Sequence, residues 1–335
     1  MSAGAPGWRH VYRWDLDKTY LDTHFESLRK LARIPFERPE QKVNIPGSAA
    51  LLRELCADLP DQRPSRVAIV SGSPTQMRRV LEKKLRLDGV AWHEFHLKPQ
   101  WKNIKRGRFR AMRNQVGYKL PLLLRSRAEL GEVVPETLFG DDAEADAFIY
   151  SLYADLIAGR VDARLLRKVL ARAGAYDEEV EGCVSHLAHI EPADSVETIF
   201  VHLDRRTPPS WFRMFGPRLV PVFNYFQAAL VLFARDHLSP EGVVRVTRAF
   251  LDADGAGVDE LANLFQDILR RGHLPGRSMQ ALGQAMQADA EGERAVIERC
   301  AERFETLGPA RAYRGSAPPP SPDYLAMWDR FKGRA

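Results

Sequence analysis

The stretch VYRWDLDKTYLDT, residues 11–23, decides the fold prediction. Its first residues are aromatic or β-branched and are typical of a short strand, and Asp15 and Asp17 follow at the end of that strand. Acidic residues are poor strand formers, and two carboxylates cost free energy when a fold holds them close together. The pair therefore indicates where the strand ends, and it indicates a function that requires two acids at that place.

The composition is that of a globular protein that can bury a large core. The chain has 335 residues, of which 45% are hydrophobic and 28% charged. Its three cysteines, Cys56, Cys183 and Cys300, are scattered, which argues against a disulfide framework and a cysteine-rich metal site and favours a reducing compartment. The formal net charge of +5 is modest and points only weakly to an anionic ligand.

The sequence predicts a cytoplasmic protein. The first residues, MSAGAPGWRHVYRW, are polar and unlike a signal peptide. The longest apolar stretch, residues 219–234, is short for a membrane span and contains Pro, Asn and Gln, so we expect a buried helix there. Contact with a membrane would then be peripheral.

Short apolar segments alternate with helical ones in the first 206 residues. Residues 11–15, 66–74, 136–142 and 195–204 are predicted strands. Amphipathic helices are predicted between them, one of which begins at Thr75 as a candidate N-cap. This alternation predicts the α/β class, with βαβ units and a mainly parallel sheet, followed by a mainly helical C-terminal region.

Polar clusters follow three of these strands. Asp15 and Asp17 end the first, Ser71 and Ser73 the second, and the pair at 141–142 the third. Ligands of parallel sheets bind outside the carboxyl ends of the strands. We therefore expect the three clusters to share one site.

The domain prediction has three parts. Residues 1–206 form a catalytic domain with a helical insertion at about 161–190, and residues 207–310 form a helical region. The remaining residues, 311–335, are a Pro/Ser-rich linker and a short tail.

Four short motifs resemble those of haloacid-dehalogenase-type phosphatases, in the same order. They are DLDKT, IVSGS, a lysine before a helix in GYKLPLLLRS, and FGDDAEAD. The resemblance covers roughly residues 11–206. DxDxT alone is a weak signal, whereas four ordered motifs at predicted strand ends are a strong one.

A narrower resemblance is to the catalytic domain of the actin-patch-protein type of phosphatidate phosphatase. The matching segments are IPGSAALLREL, SGSP, GDDAEADAFIY and TIFVHLDRRTPP. The chain departs from this pattern in the helical segment at 161–190, and the resemblance does not extend over the helical C-terminal region. It implies a lipid phosphate, phosphatidate or a related molecule, as substrate.

These resemblances imply a Mg²⁺-dependent phosphomonoester hydrolase with an aspartyl-phosphate intermediate. Asp15 would be the nucleophile, and Asp17 would protonate the leaving oxygen and then activate water. Ser71 would hold a phosphoryl oxygen, and Lys119 would neutralise charge on the phosphoryl group. The carboxylates of Asp15 and Asp141 and the backbone carbonyl of Asp17 would bind Mg²⁺, a cation that prefers oxygen ligands.

Three further residues have predicted supporting roles. Asp146 would orient Lys119 or a metal-bound water, and its spacing favours Asp141 over Asp142 as the metal ligand. Thr19 and Asp142 complete the supporting set. The competing interpretations are ordinary ones: capping acids for the aspartates, a turn residue for Ser71 and a solvated side chain for Lys119.

The basic segment, residues 98–113, has seven basic residues, no acids and two interleaved aromatic residues. It could bind an anionic membrane surface, with nucleic acid the less favoured partner, or be a solvated basic loop. Two other functions stay open. One is a phosphatase for a nucleotide, sugar phosphate or phosphoprotein, and the other is a non-catalytic binding module of the same fold.

Overall fold

The computed structural model describes residues 7–23, 39–57, 63–99, 115–255, 257–274, 302 and 322–333. Most of the basic segment and most of the predicted linker therefore lie outside the described residues. Lys98, its first residue, is described and is 1% exposed. The prediction of an exposed basic surface is thus wrong for Lys98, because the residue lies in the buried end of β3, the strand Glu94–Lys98 at one edge of the sheet.

The first unit of the fold is built on a six-stranded sheet with the order β3-β2-β1-β4-β5-β6. The strands are β1 His10–Trp14, β2 Ser65–Pro74, β3 Glu94–Lys98, β4 Glu136–Asp141, β5 Val196–His202 and β6 Leu219–Val222. The four pairings from β3 to β5 are parallel. β1 is buried along its whole length, as a central strand of a parallel sheet is expected to be. The predicted α/β class and the helical C-terminal region are confirmed.

Helices follow most of the strands. They are α1 Ser48–Cys56, α2 Arg78–Leu87, α3 Val116–Leu130, α4 Asp146–Ile157, α5 Ala163–Arg172, α6 Asp177–Leu187, α7 Tyr225–Ala234, α8 Pro240–Asp254, α9 Val258–Arg270 and α10 Tyr324–Lys332. Short 3₁₀ helices cover Pro39–Gln41, Thr75–Met77 and Pro209–Phe215. The segment predicted as a helical insertion holds α5 and α6, which lie between α4 and β5 along the chain.

Several sequence predictions were wrong in detail. Thr75 lies inside a 3₁₀ helix and caps no helix with its side chain. Two strands were missed: β3 is short with polar ends, and β6 precedes an apolar run that masks it. Lys119 lies in the first turn of α3 instead of before the helix.

The two faces of β1 differ in their side chains. Alternate side chains of a strand point to opposite faces of the sheet. On one face, Trp14 stacks on Phe139 with ring centroids 4.0 Å apart, and Phe139 stacks on Phe200 at 5.0 Å. On the other face lie Arg13 and, two residues on, Asp15. The second face is therefore the polar one, although both residues are buried.

The described chain forms two compact units. The first comprises the described residues of Met1–Val43, Asp58–Pro221 and Ala317–Ala335, and the second those of Asn44–Ala57 and Val222–Ser316. Pro46, Gly47 and α1 thus belong to the same unit as the C-terminal helices α7 to α9. The domain boundaries predicted at residues 206 and 310 stay predictions.

Within the second unit, Gly47 precedes α1 with a positive φ of 81°. A Cβ there would lie 3.3 Å from Cβ of Tyr225, so glycine suits both the backbone and the packing. Arg245 on α8 makes a two-pronged ion pair with Glu54 on α1, at 2.6 and 2.7 Å. Among the described residues, no helix is both long and apolar enough to cross a bilayer.

Candidate active site

The predicted acids meet at the carboxyl ends of β1 and β4, the two central strands. Asp15 follows β1 directly, and its backbone N–H donates to the carbonyl of Phe139 on β4 at 2.9 Å. Asp141 is the last residue of β4. The strand order reverses between β1 and β4, and such a switch point is where sheets of this kind bind ligands.

Lys119 lies at the centre of the acids. Its Nζ is 2.9 Å from Oδ1 of Asp15, 2.5 Å from Oδ1 of Asp146 and 3.1 Å from Oε2 of Glu144. Burial opposes the charge of Lys119, but the attraction of Asp146, Asp15 and Glu144 holds its pKa well above the ordinary value. The side chain therefore carries its positive charge at neutral pH.

Asp17 is bound by both serines of the second strand end. Its Oδ2 accepts from the hydroxyl of Ser71 at 2.9 Å and from that of Ser73 at 2.6 Å. Ser71 in turn accepts from the backbone N–H of Ser73 at 2.9 Å. Burial raises the pKa of Asp17, although both hydroxyl groups oppose that shift. A carboxyl with a raised pKa is suited to give and take protons near neutral pH.

The turn after Asp17 fixes its position. Lys18 has a positive φ of 59°, uncommon for a residue with a side chain. Its N–H donates to the carbonyl of Leu21 at 2.8 Å, and its carbonyl accepts from Nδ1 of His202 on β5 at 2.9 Å. Thr19, a predicted supporting residue, is fully buried in this turn.

Asp141 and Asp142 accept hydrogen bonds from different segments of the backbone. Oδ1 of Asp141 accepts from the backbone N–H groups of Ala143 and Glu144 at 2.6 and 2.8 Å. Asp142 accepts from the backbone N–H groups of Arg205 at 2.7 Å and Thr207 at 3.0 Å, which ties the loop after β5 to the end of β4. Asp141 is thus the acid of this pair that faces the other site residues.

Asp146 approaches the end of β4 so closely that only glycine fits beside it. A Cβ on Gly140 would lie 2.5 Å from Cβ of Asp146. Oδ2 of Asp146 accepts from the backbone N–H of Asp141 at 3.3 Å. Burial raises the pKa of Asp146 to about 6, against the opposing effect of Lys119. Gly140 is therefore required at this position, because a side chain there would collide with Asp146.

The site has carboxylate oxygens that no hydrogen bond satisfies. In the described part of the chain, Oδ2 of Asp15 and Oδ2 of Asp141 are buried without a hydrogen-bond donor, whereas Oδ1 of Asp15 lies 2.9 Å from Nζ of Lys119. Burial raises the pKa of both acids well above the ordinary value, and the neighbouring Asp146 and Glu144 add to this effect. Buried oxygens of this kind are what a hard divalent cation would satisfy, so the residues fit Mg²⁺.

A second acidic group is a poorer candidate for a metal. One ligand oxygen each from Asp15, Glu144 and Asp146 lies within 4.8 Å of the other two. Nζ of Lys119 is already in contact with all three residues. The ammonium group takes the place of a cation there, so the unsatisfied oxygens of Asp15 and Asp141 mark the better site.

Sequence reasoning missed two neighbours of the site, Glu144 and Gln115, and gave no role to a third, Ser73. Glu144 contacts Lys119, and Nε2 of Gln115 donates to Oε1 of Glu144 at 3.0 Å. Ser73 is a second donor to Asp17, whereas only Ser71 had been given a role. The signal for Glu144 was its place between Asp141 and Asp146, but acids are common at the start of any helix.

Residues 14–168 match a protein-family model described as the catalytic domain of phosphatidate phosphatase APP1. The match spans slightly less than half of the 335-residue chain and includes every predicted site residue. It supports the narrower of the two resemblances and a phosphatase of the phosphatidate phosphatase type. Comparison with curated proteins and with solved structures gave no match.

Proposed function

We propose that this chain is a Mg²⁺-dependent phosphomonoester hydrolase that forms an aspartyl-phosphate on Asp15, with phosphatidate or a related lipid phosphate as substrate. The observation that carries the proposal is the meeting of Asp15, Asp17, Ser71, Lys119 and Asp141 at one switch point of the sheet. The family match over residues 14–168 supports the lipid substrate. The haloacid-dehalogenase type of chemistry rests on the four motifs and on this arrangement.

In the first step, a carboxylate oxygen of Asp15 attacks phosphorus and the bond from phosphorus to the ester oxygen breaks. The burial that raises the pKa of Asp17 favours its protonated form, so Asp17 gives its proton to the departing oxygen. The ammonium of Lys119 stays next to Asp15 and offsets negative charge there. Ser71 lies next to Asp17, where its hydroxyl can turn to a phosphoryl oxygen.

In the second step, Asp17 accepts a proton from water, and the water oxygen attacks phosphorus. The bond between phosphorus and the Asp15 oxygen then breaks, which releases phosphate and restores both carboxyl groups. Asp15 and Asp141 would hold Mg²⁺, with the backbone carbonyl of Asp17. A bound Mg²⁺ would offset the negative charge that otherwise keeps a phosphate away from these acids.

The test is phosphate release by the purified chain from phosphatidate in detergent micelles and from a chromogenic phosphomonoester, with and without Mg²⁺. We expect release that depends on Mg²⁺ and stops when chelator is in excess. Full activity in excess chelator after dialysis would contradict the metal requirement. Activity on the chromogenic ester and none on phosphatidate would favour a soluble phosphate ester as substrate.

A further inference from the structure

Lys98 lies beside the site without a role in the chemistry proposed above. It is the last residue of β3 and pairs with Pro74, the end of the strand that carries Ser71. Its side chain is 1% exposed, and its ammonium lies 5.4 Å from the ring centre of Tyr118. The charge is therefore held inside the protein at the carboxyl end of the sheet.

Tyr118 precedes Lys119 in the first turn of α3. Its hydroxyl oxygen is buried and has no hydrogen-bond partner among the described residues. Burial raises the pKa of this hydroxyl, and Lys119, Asp15 and Asp17 also act on it, which puts the phenol within electrostatic reach of the reacting groups. Tyr118 is thus an unsatisfied donor next to the site.

Both side chains offer hydrogen-bond donors. An ammonium group only donates hydrogen bonds, and a phenol of raised pKa stays a donor at neutral pH. Burial lowers the pKa of Lys98 to about 8, which leaves most of the population charged at pH 7. A buried hydroxyl without a partner costs stability, and a ligand that brings an acceptor oxygen removes that cost.

We propose that Lys98 and Tyr118 bind an acceptor oxygen on the leaving-group side of the substrate, such as the acyl-ester carbonyl that lies next to the phosphate of a diacyl lipid phosphate. This inference rests on the proposed function and deepens it. Asp15, Asp17 and Lys119 act on the phosphoryl group, and the Lys98–Tyr118 pair selects what that group is attached to. The pair confers specificity for ester-linked lipids.

Two lipids that differ only in this acceptor provide the test. Diacylglycerol phosphate carries the carbonyl oxygens, and the matched dialkyl-ether lipid lacks them. Both are presented in the same detergent micelles with Mg²⁺, and kcat/KM is measured for each. We expect the wild type to prefer the diacyl lipid about tenfold, the effect of one hydrogen bond to a buried donor.

Tyr118→Phe removes only the hydroxyl, and Lys98→Met removes the charge at similar length. Each should bring the ratio of the two kcat/KM values close to one. Tyr324→Phe is the matched control, since the Tyr324 hydroxyl donates to Asp155 at 2.6 Å on α4 and lies outside the site. The control should keep the wild-type ratio. If Lys98→Met does not fold, the near-isosteric Tyr118→Phe decides.

Equal kcat/KM for both lipids in the wild type, or an equal fall for both in the variants, would overturn the inference. The chromogenic phosphomonoester separates this failure from failure of the proposed function. A wild type that cleaves the chromogenic ester but does not discriminate between the lipids contradicts only the Lys98–Tyr118 assignment. A wild type that releases phosphate from none of the three contradicts both proposals.

Discussion

Two groups of buried charges lie on the same face of β1, and they differ in how they are balanced. Below the site, Nε of Arg13 contacts Oε2 of Glu136 at 2.5 Å, and Nη1 donates to Ser126 at 2.7 Å. The hydroxyl of Tyr153 donates to both oxygens of Glu136, and Ser126 donates to Glu94 at 2.7 Å. We call these five residues the Arg13 network.

The site has the opposite character. Five carboxyl groups lie at or just after the strand ends, near Lys119, and oxygens of two of them lack a donor among the described residues. The five are those of Asp15, Asp17, Asp141, Glu144 and Asp146. Opposite charges in contact compensate for the loss of water, whereas unbalanced buried acids raise each other's pKa. The comparison indicates that the charges of the Arg13 network stabilise the fold, and we propose that the imbalance around Asp15, just after β1, is maintained for a ligand.

The largest effect on turnover should come from replacing Asp15, one of the acids in this unbalanced group. Asp15→Asn should lower turnover by about 10⁴-fold or more, because the amide cannot act as the nucleophile. The free energy of unfolding should be unchanged or higher, since a buried charge is lost. Steady-state kinetics and urea unfolding measure the two effects. Asp162→Asn, at the exposed N-cap of α5, is the control for an Asp-to-Asn change and should keep turnover. Near-wild-type turnover of Asp15→Asn at saturating Mg²⁺ would contradict the assignment.

Breaking the Arg13 network should give the reverse pattern. Arg13→Met leaves Glu136 buried without its closest cation, so we expect a loss of about 3–5 kcal/mol in the free energy of unfolding. Urea unfolding of the variant beside Asp15→Asn makes the comparison directly. Equal stability of Arg13→Met and the wild type would show that the network has no structural role.

Metal should stabilise the folded protein, because it would satisfy Oδ2 of Asp15 and Oδ2 of Asp141, which have no donor among the described residues. At a Mg²⁺ concentration 100 times its Kd, the free energy of unfolding should rise by about 2.7 kcal/mol. Asp141→Asn should abolish most of this increase. Thermal unfolding with Mg²⁺ and with chelator measures it without reference to activity. An identical Tm in both conditions would argue against the cation site.

A further effect on stability, about 3 kcal/mol, should come from Glu94. Burial opposes its charge, but hydrogen bonds from His96 and Ser126 and the charge of Arg13 lower its pKa to about 2, from 4.5. A lowered pKa stabilises the fold above pH 4.5, and this stabilisation is lost as the pH falls towards 2. Glu94→Gln should thus be less stable than the wild type at pH 7, and the gap should close below pH 4.5. Acid unfolding curves of both proteins test this, and a gap independent of pH would contradict it.

The sequence predicted the parts of the site that sit at strand ends. Asp15 follows β1, and Ser71 and Asp141 lie in the carboxyl-terminal parts of β2 and β4. The apolar residues of these strands are easy to recognise, and parallel strands bring their carboxyl ends together whatever the helices do. The acids were therefore brought to one place by the topology alone. Their roles in catalysis stay predictions.

The rest depended on packing that no local pattern shows. In the sequence, Lys98 is the first residue of a basic segment. Its burial beside Tyr118 depends on tertiary packing, which the local sequence does not show. Glu144 resembles any acid at a helix start, and only the position of Lys119 reveals its contact. β6 was hidden because the apolar residues of Leu219–Val222 run on into those of α7, so periodicity could not separate a strand from a helix.

The most direct test of the central claim is to find the phosphate on the protein. Asp17→Asn removes the group that protonates the leaving oxygen and later activates water, so the test uses the chromogenic phosphomonoester, whose acidic leaving group departs without a proton. With Mg²⁺ present, the covalent intermediate should then form and accumulate. Rapid acid quenching, digestion and mass spectrometry would then locate the phosphoryl group. We expect a phosphorylated Asp15 in the peptide that contains residues 14–18, and none in the double variant with Asp15→Asn. A phosphoryl group on another residue, or turnover by Asp17→Asn at the wild-type rate with no phosphorylated Asp15, would contradict it.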